Sequence, residues 1–299
     1  MKIFSKLTEN RDLSLALGYF DGVHKGHQSV IKRAVEYAKL NSKKSAVITF
    51  KDHPCCYFWG VCPKYILSRE ERRAKIENLG VDYLYELDFA DVADMSAKDY
   101  LEHVIIKYFR PAAITTGFNH NFGLNKSGDT KFLSNMADKY GYMYFETPEQ
   151  KVTGETVSST KIRELLSGGK IELANDMLGY KFPIEGEVVE GQKLGRKIGF
   201  RTANLVYPGE LIDLPFGVYS VDVKYGGRVY RGITNFGLRP TVSDDNRCTL
   251  ETHILDFDEE IYGKSLRIEF NKMIRPEKKF NSIDDLRNQI NKDIAIAYR

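Results

Sequence analysis

The first half of the chain alternates short apolar runs with stretches of helical periodicity. Runs rich in apolar and β-forming residues occupy positions 13–17, 45–50, 81–87, 112–116 and 142–146. Between them, apolar residues recur at helical spacing over positions 30–38, 69–79, 97–108 and 131–140. Strands that alternate with helices in this way favour a parallel sheet covered by helices on both faces. We therefore expect an α/β domain at the start of the chain.

The pattern changes beyond residue 158. Two short helical segments that end at glycines are followed, from Phe182 onward, by short alternating strands with turn residues between them. The glycine pair at 226–227 predicts a hairpin turn, and regular short strands favour a small antiparallel β-barrel. A helix is expected to close the chain, because Ser282 and Asp285 have the spacing of a capping box.

These two patterns divide the 299 residues into an α/β domain, residues 1–180, and a β domain, residues 181–299. Apolar residues make up 42% and charged residues 28%, as in ordinary globular proteins. The net charge of +3 suits anionic small molecules and does not indicate a nucleic-acid-binding protein. No apolar run approaches the roughly 18 residues of a membrane span, and the N-terminal segment lacks the apolar core of a signal peptide.

The spacing of the four cysteines indicates the cellular compartment in which the protein is expected to lie. Cys55, Cys56, Cys62 and Cys248 show neither a CxxC pair nor the spacing of a disulfide framework. We expect four reduced thiols in a cytoplasmic protein. It is expected to bind neither nucleic acid nor membranes, and to be a monomer or a weak homo-oligomer.

A glycine-rich turn with two histidines, GYFDGVHKGH at residues 18–27, joins the first predicted strand to a helix. The first amides of a helix lack partners and carry positive partial charge, which favours phosphate. Glycine lets the backbone come close to that phosphate, and His24 and His27 can direct donors at the same oxygens. Capping of the turn and metal binding are the alternative roles for such a pair. Between a strand and a helix, we favour phosphate chemistry.

This turn resembles the HxGH signature of the nucleotidyltransferase superfamily, here His24-Lys25-Gly26-His27. A second phrase, VSSTKIRELL at residues 157–166, is similar to the SSTxIR element that accompanies HxGH in these enzymes. An ordinary N-cap is the alternative for its serine pair. The resemblance implies a Rossmann-like domain in which His24, His27 and Arg163 are catalytic. It also implies nucleotide contacts by Gly18, Phe20, Gly22, Gly26, Ser159 and Thr160.

Between these phrases lies TTGFNHNFGLNKSGD, residues 115–129, directly after a predicted strand. In the bacterial riboflavin kinase/FAD synthetase family the similar phrase runs Gly-x-Asp/Asn-Phe-x-Phe-Gly, and His120 here takes the place of an aromatic residue. Open α/β sheets bind ligands at the carboxyl ends of their strands. The resemblance implies flavin contacts by Asn119 and Phe122. Packing into the core is the open alternative for Phe118 and Phe122.

The second half contains no P-loop but carries GQKLGRKIGFRTANL, residues 191–205. This phrase resembles the riboflavin kinase motif, whose core is normally Pro-Thr-Ala-Asn. The hydroxyl of Thr202 and the side-chain carbonyl of Asn204 are hard oxygen ligands suited to Mg²⁺. Without the family, the glycines and basic residues would indicate an exposed basic hairpin. The resemblance implies a nucleotide-binding flap that includes Gly191, Lys193, Gly195 and Gly199.

Its partner element is LETHILDFDEEIYG, residues 250–263, in which Glu251 and His253 share one face of a predicted strand. In the family, the glutamate at the position of Glu251 acts as the base towards the ribityl hydroxyl. A surface glutamate on an edge strand is the alternative. Three further phrases, FGVYSV, NFGLRPTV and RPEKKFNSIDDL, extend the resemblance over nearly the whole chain. It implies that the chain phosphorylates riboflavin to FMN with ATP and then transfers AMP from ATP onto FMN, giving FAD.

Arg201 departs from the motif, because it stands where the family has proline. Proline would fix the backbone angle φ near about −65° ahead of Thr202, whereas arginine loosens the loop and adds a charge. Both expected Mg²⁺ ligands and the expected base remain, so we expect the kinase activity to survive with altered nucleotide affinity. Two alternatives stay open: an FAD synthetase whose barrel only binds flavin, and a non-catalytic flavin-sensing protein.

Overall fold

The computed structural model describes residues 1–191, 199–238 and 248–298. The chain divides into two compact units, Met1–Ser159 and Thr160–Arg299. The nucleotide-flap residues Lys193 and Gly195 lie outside the described residues. Each unit is described in turn.

Six parallel strands form the main sheet of the first unit, in the order β1-β4-β3-β2-β5-β8. Their bounds are β1 (Lys2–Phe4), β2 (Leu13–Leu17), β3 (Lys44–Phe50), β4 (Tyr83–Leu87), β5 (Ala113–Gly117) and β8 (Met143–Thr147). Two short antiparallel pairs accompany the sheet, β6 (Asn121–Phe122) with β7 (Gly128–Asp129), and β9 (Lys151–Val152) with β10 (Glu155–Thr156). The predicted parallel sheet is confirmed. The three-residue edge strand β1 was not predicted.

Helices connect these strands. They are α1 (Lys25–Leu40), α2 (Pro54–Trp59), α3 (Arg69–Asn78), α4 (Ala97–Asp99), α5 (Lys107–Phe109) and α6 (Thr130–Tyr140), with a π-helical segment (Tyr100–Ile106) between α4 and α5. Helix α1 packs on the sheet because its apolar residues recur on one face and are buried, as at Val30, Ile31 and Ala34. Its N-terminus therefore lies at the carboxyl end of β2, where the glycine-rich turn leads into it.

Helix α7 (Ser159–Ser167) begins at the last residue of the first unit, and its other residues belong to the second unit, which also contains α8 (Ile171–Leu178) and an antiparallel sheet. The sheet order is β11-β16-β13-β14-β15-β12. Its strands are β11 (Phe182–Glu187), β12 (Ala203–Val206), β13 (Gly217–Tyr225), β14 (Arg228–Leu238), β15 (Cys248–Ile254) and β16 (Ser265–Pro276). The Val189 N–H donates to the Asn204 carbonyl at 2.8 Å, so the chain beyond β11 meets β12 and the barrel nearly closes.

The predicted turn and closing helix are confirmed in this unit. Gly226 and Gly227 both have positive φ, 57° and 76°, and join β13 to β14. Helix α9 (Ile283–Ala297) begins after Ser282, whose hydroxyl accepts the Asp285 N–H at 3.1 Å. The class predicted from the sequence, an α/β domain followed by a small antiparallel barrel with a C-terminal helix, is therefore confirmed.

A disulfide joins Cys56 to Cys62, whose Cα atoms lie 4.4 Å apart. The expectation of four reduced thiols is wrong for this pair. Helix α2 ends at Gly60, whose left-handed backbone (φ 66°) turns the chain back towards Cys56. The spacing of six residues between the two cysteines does not by itself indicate that the chain reverses between them. Cys55 and Cys248 remain outside this bond. Within the described ranges, no helix is long and apolar enough to cross a membrane.

A buried ion pair ties α3 to the sheet. Arg72 on α3 and Glu86 on β4 lie 3.3 Å apart, and only 4% and 2% of their side chains are exposed. Arg73 also donates to Glu86 at 2.9 Å, and Arg72 donates to the backbone carbonyls of Tyr19 and Phe50. The pair therefore fixes the chain just beyond β2 and at the end of β3.

Replacing Glu86 with alanine is expected to lower the free energy of unfolding by about 3–5 kcal/mol, because the buried guanidinium of Arg72 loses its counter-charge. Urea unfolding followed by circular dichroism measures the loss. Glu77→Ala on α3, the helix that carries Arg72, is the control: Glu77 pairs with the N-terminal amine at the surface, and its loss should cost less than about 1 kcal/mol. Equal effects of the two substitutions would contradict the prediction.

Candidate active sites

The glycine-rich turn of the first unit has a backbone that requires its glycines. Phe20 and Gly22 have positive φ, 60° and 78°. A Cβ on Gly22 would lie 2.9 Å from the Ile66 side chain, and one on Gly26 would lie 3.1 Å from the His24 ring. Phe20 is buried, so it supports the turn from within. The turn is thus closely packed at the point where α1 begins.

Two stacked imidazoles mark the N-terminus of α1. His24 is the N-cap, and its Nδ1 accepts the backbone N–H of His27 at 3.2 Å. Because Nδ1 is the acceptor, the proton of a neutral His24 ring is on Nε2. The His24 and His27 rings are nearly parallel, 19° apart with centroids separated by 3.6 Å, and Phe20 packs edge-on against His27. Two donors that can carry charge therefore stand beside the first amides of a sixteen-residue helix.

The SSTxIR segment begins at the same turn. Helix α7 starts at Ser159, whose hydroxyl donates to the backbone carbonyl of Asp21 at 2.9 Å. The carboxylate of Asp21 in turn accepts the Ile66 N–H at 3.2 Å. Thr160 is exposed in the first turn of α7, and Arg163 is half-buried one turn further along. The side chain of Ser159 therefore bonds to the turn that precedes α1.

A cavity of about 420 Å³ lies at the carboxyl ends of β2, β3 and β5. Its wall includes aromatic side chains and one imidazole: Tyr19, Phe50, Phe58, Phe89, His120 and Phe122. The volume and the aromatic wall suit a flat, conjugated ring. Burial lowers the pKa of His120 to about 4, so this imidazole is neutral at pH 7, and its ring stacks on that of Phe122.

In the second unit, strand pairing brings the predicted kinase residues together. Asn204 on β12 is directly opposite Glu251 on β15. The amide nitrogen of Asn204 donates to the Thr202 carbonyl at 3.4 Å. A Cβ on Gly191 would lie only 2.4 Å from that amide nitrogen, so a larger residue at 191 would displace Asn204. Gly199 has a φ of 89°, and no atom of the described residues lies within 4 Å of a Cβ placed on it.

Two cavities meet at Thr202. The larger, about 570 Å³, is lined by Glu251 and by apolar side chains that include Phe200 and Phe280. The smaller, about 290 Å³, is lined by residues 201–203, by residues of β15 and by the segment that follows β15. Thr202 belongs to both walls. A group bound in one cavity can thus approach a group bound in the other at this side chain.

Comparison with known proteins accounts for both units. The FAD synthetase family matches residues 6–161, and the riboflavin kinase family matches residues 178–299. A bifunctional riboflavin kinase/FMN adenylyltransferase of Bacillus subtilis is 38% identical over 291 residues, which is 95% of this chain and 91% of that protein. A protein of the same name from Listeria monocytogenes is 35% identical over 285 residues, which is 93% of this chain and 89% of that protein. The chain belongs to the bifunctional riboflavin kinase/FMN adenylyltransferase family.

One solved structure is similar to this chain over the full length of the chain. The crystal structure of a protein from Streptococcus pneumoniae, described there as a macrolide-efflux protein, has a TM-score of 0.91 and 31% identity. The match covers 100% of this chain and 99% of that one. The family predicted from the sequence is confirmed by the two family models and by the curated relatives.

Two residues that line the aromatic cavity of the first unit were not predicted from the sequence. Phe58 on α2 and Phe89 after β4 both line it, with ring centroids 5.5 Å apart. The run PCCYFW, which begins four residues after the end of β3, was the available signal for Phe58, because residues beyond the carboxyl end of a parallel strand lie at the ligand-binding edge. Of the two predicted flavin residues, the described cavity wall includes Phe122 and does not include Asn119, which is exposed in the loop.

Proposed function

We propose that this chain converts riboflavin to FMN in its second unit and FMN to FAD in its first, using one ATP in each reaction. The observation that carries the proposal is the presence of both architectures in one chain: a histidine-capped helix beside an aromatic cavity, and a barrel in which two cavities share Thr202. The alternatives, an FAD synthetase with an inactive barrel and a non-catalytic flavin sensor, would leave the second arrangement without a role.

In the kinase reaction, Glu251 is the proposed base. The flavin ring occupies the larger cavity, where Phe200 and Phe280 face it, and ATP occupies the smaller one. The 5′-hydroxyl oxygen of riboflavin forms a bond to the γ-phosphorus while the bond to the bridging oxygen breaks and ADP leaves. The Glu251 carboxylate accepts the hydroxyl proton. Gly191 and Gly199 begin and end the proposed nucleotide flap.

Thr202 and Asn204 fit Mg²⁺ by the chemistry of their donors. A hydroxyl and a carboxamide oxygen are hard ligands, and the hydrogen bond from Asn204 to Thr202 uses the amide nitrogen and not the oxygen. When bound, the ion would neutralise charge on the ATP phosphates. The pairing of β12 with β15 sets Asn204 opposite Glu251, and Thr202 lies just before this paired segment.

In the adenylyl transfer, the chain positions charge and supplies no base. An oxygen of the FMN phosphate forms a bond to the α-phosphorus of ATP, and pyrophosphate leaves with the pair of electrons from the bond that breaks. The FMN phosphate is already anionic. His24, His27, Arg163 and the first amides of α1 are the proposed stabilisers of the developing charge. Gly18, Gly22 and Gly26 admit the phosphates to the backbone, with Ser159 and Thr160 at the start of α7. Phe122 and Asn119 are the proposed flavin contacts.

The proposed functional boundary lies near residue 180, which assigns α7 and α8 to the adenylyltransferase although most of their residues cluster with the second unit. Support comes from Ser159 at the start of α7, which bonds the turn before α1. We further propose a cytoplasmic protein that acts as a monomer or a weak homo-oligomer on small-molecule substrates alone.

A time course tests the proposal. The protein is incubated with Mg²⁺, ATP and riboflavin, and riboflavin, FMN and FAD are resolved chromatographically. FMN is expected to rise first and then to fall as FAD accumulates. A parallel incubation starts from FMN in place of riboflavin. FAD formation in that incubation, with no FMN formed from riboflavin in the first, would refute the kinase half of the proposal. Formation of neither product would refute both halves.

A further inference from the structure

The residues immediately before Thr202 are held by the strand that carries Glu251. His253 on β15 has its Nδ1 2.7 Å from the backbone carbonyl oxygen of Arg201. Because a carbonyl oxygen only accepts, Nδ1 is the donor and carries a proton. The Phe200 ring also packs edge-on against the His253 ring, with centroids 5.3 Å apart. One side chain thus contacts both residues that precede Thr202.

A second attachment begins at the side chain of Arg201. Its guanidinium forms an ion pair with the carboxylate of Asp258 and donates to the Asp258 backbone carbonyl at 3.3 Å. The two side chains are 59% and 87% exposed, and pairs this exposed contribute little to folding stability. The contact links Arg201 to the segment that follows β15.

Thr202 needs such an attachment because strand pairing does not reach it. The ladder between β12 and β15 begins with Ala203 opposite Thr252, followed by Asn204 opposite Glu251. Asn204 is therefore positioned by the barrel itself, whereas Thr202 lies one residue outside the paired segment. Phosphoryl transfer is sensitive to the placement of the groups around it, and a shift of about 1 Å can cost on the order of a hundredfold in rate.

We propose that His253 and Asp258 are positioning residues for the phosphorylation of riboflavin. Both act through Arg201, one on its carbonyl and one on its side chain, and together they hold Thr202 in place beside the nucleotide. This inference rests on the proposed kinase function. A proline at position 201 would restrict φ through its own ring. Arg201 has no such ring, and in this arrangement the two contacts restrict its backbone instead.

The first test compares Asp258→Asn and His253→Ala with the unaltered chain. Each is expected to lower kcat for riboflavin phosphorylation by on the order of tenfold with little change in KM for riboflavin. FMN adenylylation by the same preparations should not change. The matched control is Asp256→Asn in the same segment, since Asp256 accepts a hydrogen bond from Tyr298 at 2.9 Å. It should keep both activities.

Rescue separates positioning from direct contact with ATP. If Arg201 acts through its backbone, Arg201→Pro should keep most of the kinase activity, and Asp258→Asn should cause no further loss in that background. His253→Gln, which keeps a donor, should retain more activity than His253→Ala. Hydrogen exchange of residues 199–204, measured without nucleotide or Mg²⁺, should be faster in Asp258→Asn and slow again in the double variant with Arg201→Pro.

Several results would overturn the inference. These are unchanged kcat and unchanged exchange in Asp258→Asn and His253→Ala, an undiminished effect of Asp258→Asn in the Arg201→Pro background, or an equal loss of both activities. The last result would assign the contacts to folding. An unaltered protein that forms no FMN from riboflavin would refute the proposed function itself, before any variant is compared.

Discussion

Substitution of His27 by alanine is expected to lower the rate of FMN adenylylation by about 10²–10³-fold, the usual cost of removing one donor aimed at developing charge. His27 is the better of the two histidines to replace. His24 is buried and caps α1 through its Nδ1, so its loss would also disturb the helix start. His27 is half-buried, and its ring lies on the face of His24. FAD formed from FMN and ATP, separated by chromatography, measures the effect.

The kinase activity of the same molecules is the internal control, because riboflavin phosphorylation uses residues of the barrel. We expect it to be unchanged in His27→Ala. A matched substitution is His103→Ala, since His103 is exposed on the π-helical segment, with 64% of its side chain accessible. It should alter neither activity. If His27→Ala lowered both activities in a folded protein, the assignment of the two reactions to separate sites would be wrong.

The histidine site could be predicted from the sequence because its chemistry is local. The amides of a helix start, two histidines and the glycines before them lie within ten consecutive residues, and the apolar periodicity of α1 places the helix after them. The structure adds what local sequence does not contain. The bond from Ser159 to the Asp21 carbonyl joins segments that are far apart in the chain.

The place of Phe58 in the aromatic cavity and the disulfide were both missed, and both involve α2. Helix α2 brings Phe58 to the cavity wall, and the left-handed turn at Gly60 brings Cys62 next to Cys56. Helix α2 has only six residues and none of them is buried, so it leaves no periodic apolar pattern. The contact of Phe58 with Phe89 and the bond of Cys56 to Cys62 depend on the tertiary structure.

The kinase site is an intermediate case. The residues Thr202, Asn204 and Glu251 were found through the family resemblance, and the alternation of β15 correctly puts Glu251 and His253 on one face, since both line the larger cavity. Asn204 lies opposite Glu251 in the register of β12 and β15. A shift of one residue would move every side chain of a strand to its other face, and the sequence alone did not predict which residues are paired. It also does not show that Arg201 is paired with Asp258.

Glu251→Gln is expected to lower kcat for riboflavin phosphorylation by about 10²–10⁴-fold, because the amide cannot accept the proton of the attacking hydroxyl. The change is nearly isosteric, so the pairing of β15 with β12 and β14 should persist. KM for riboflavin is expected to change little, since the flavin ring is proposed to contact the aromatic wall of the larger cavity. Initial rates of FMN formation, measured over a range of riboflavin concentrations, separate kcat from KM.

Glu185→Gln is the matched control for this experiment. Glu185 is an exposed barrel glutamate on β11 that accepts a hydrogen bond from Ser265 at 3.0 Å, and its substitution should leave FMN formation unchanged. FAD formation from supplied FMN should persist in both variants and shows that each is folded. A Glu251→Gln protein that phosphorylates riboflavin within a few fold of the normal kcat would exclude Glu251 as the base. Catalysis in the barrel would then depend on the placement of Thr202 and Asn204, and the contacts of Arg201 would become its main determinants.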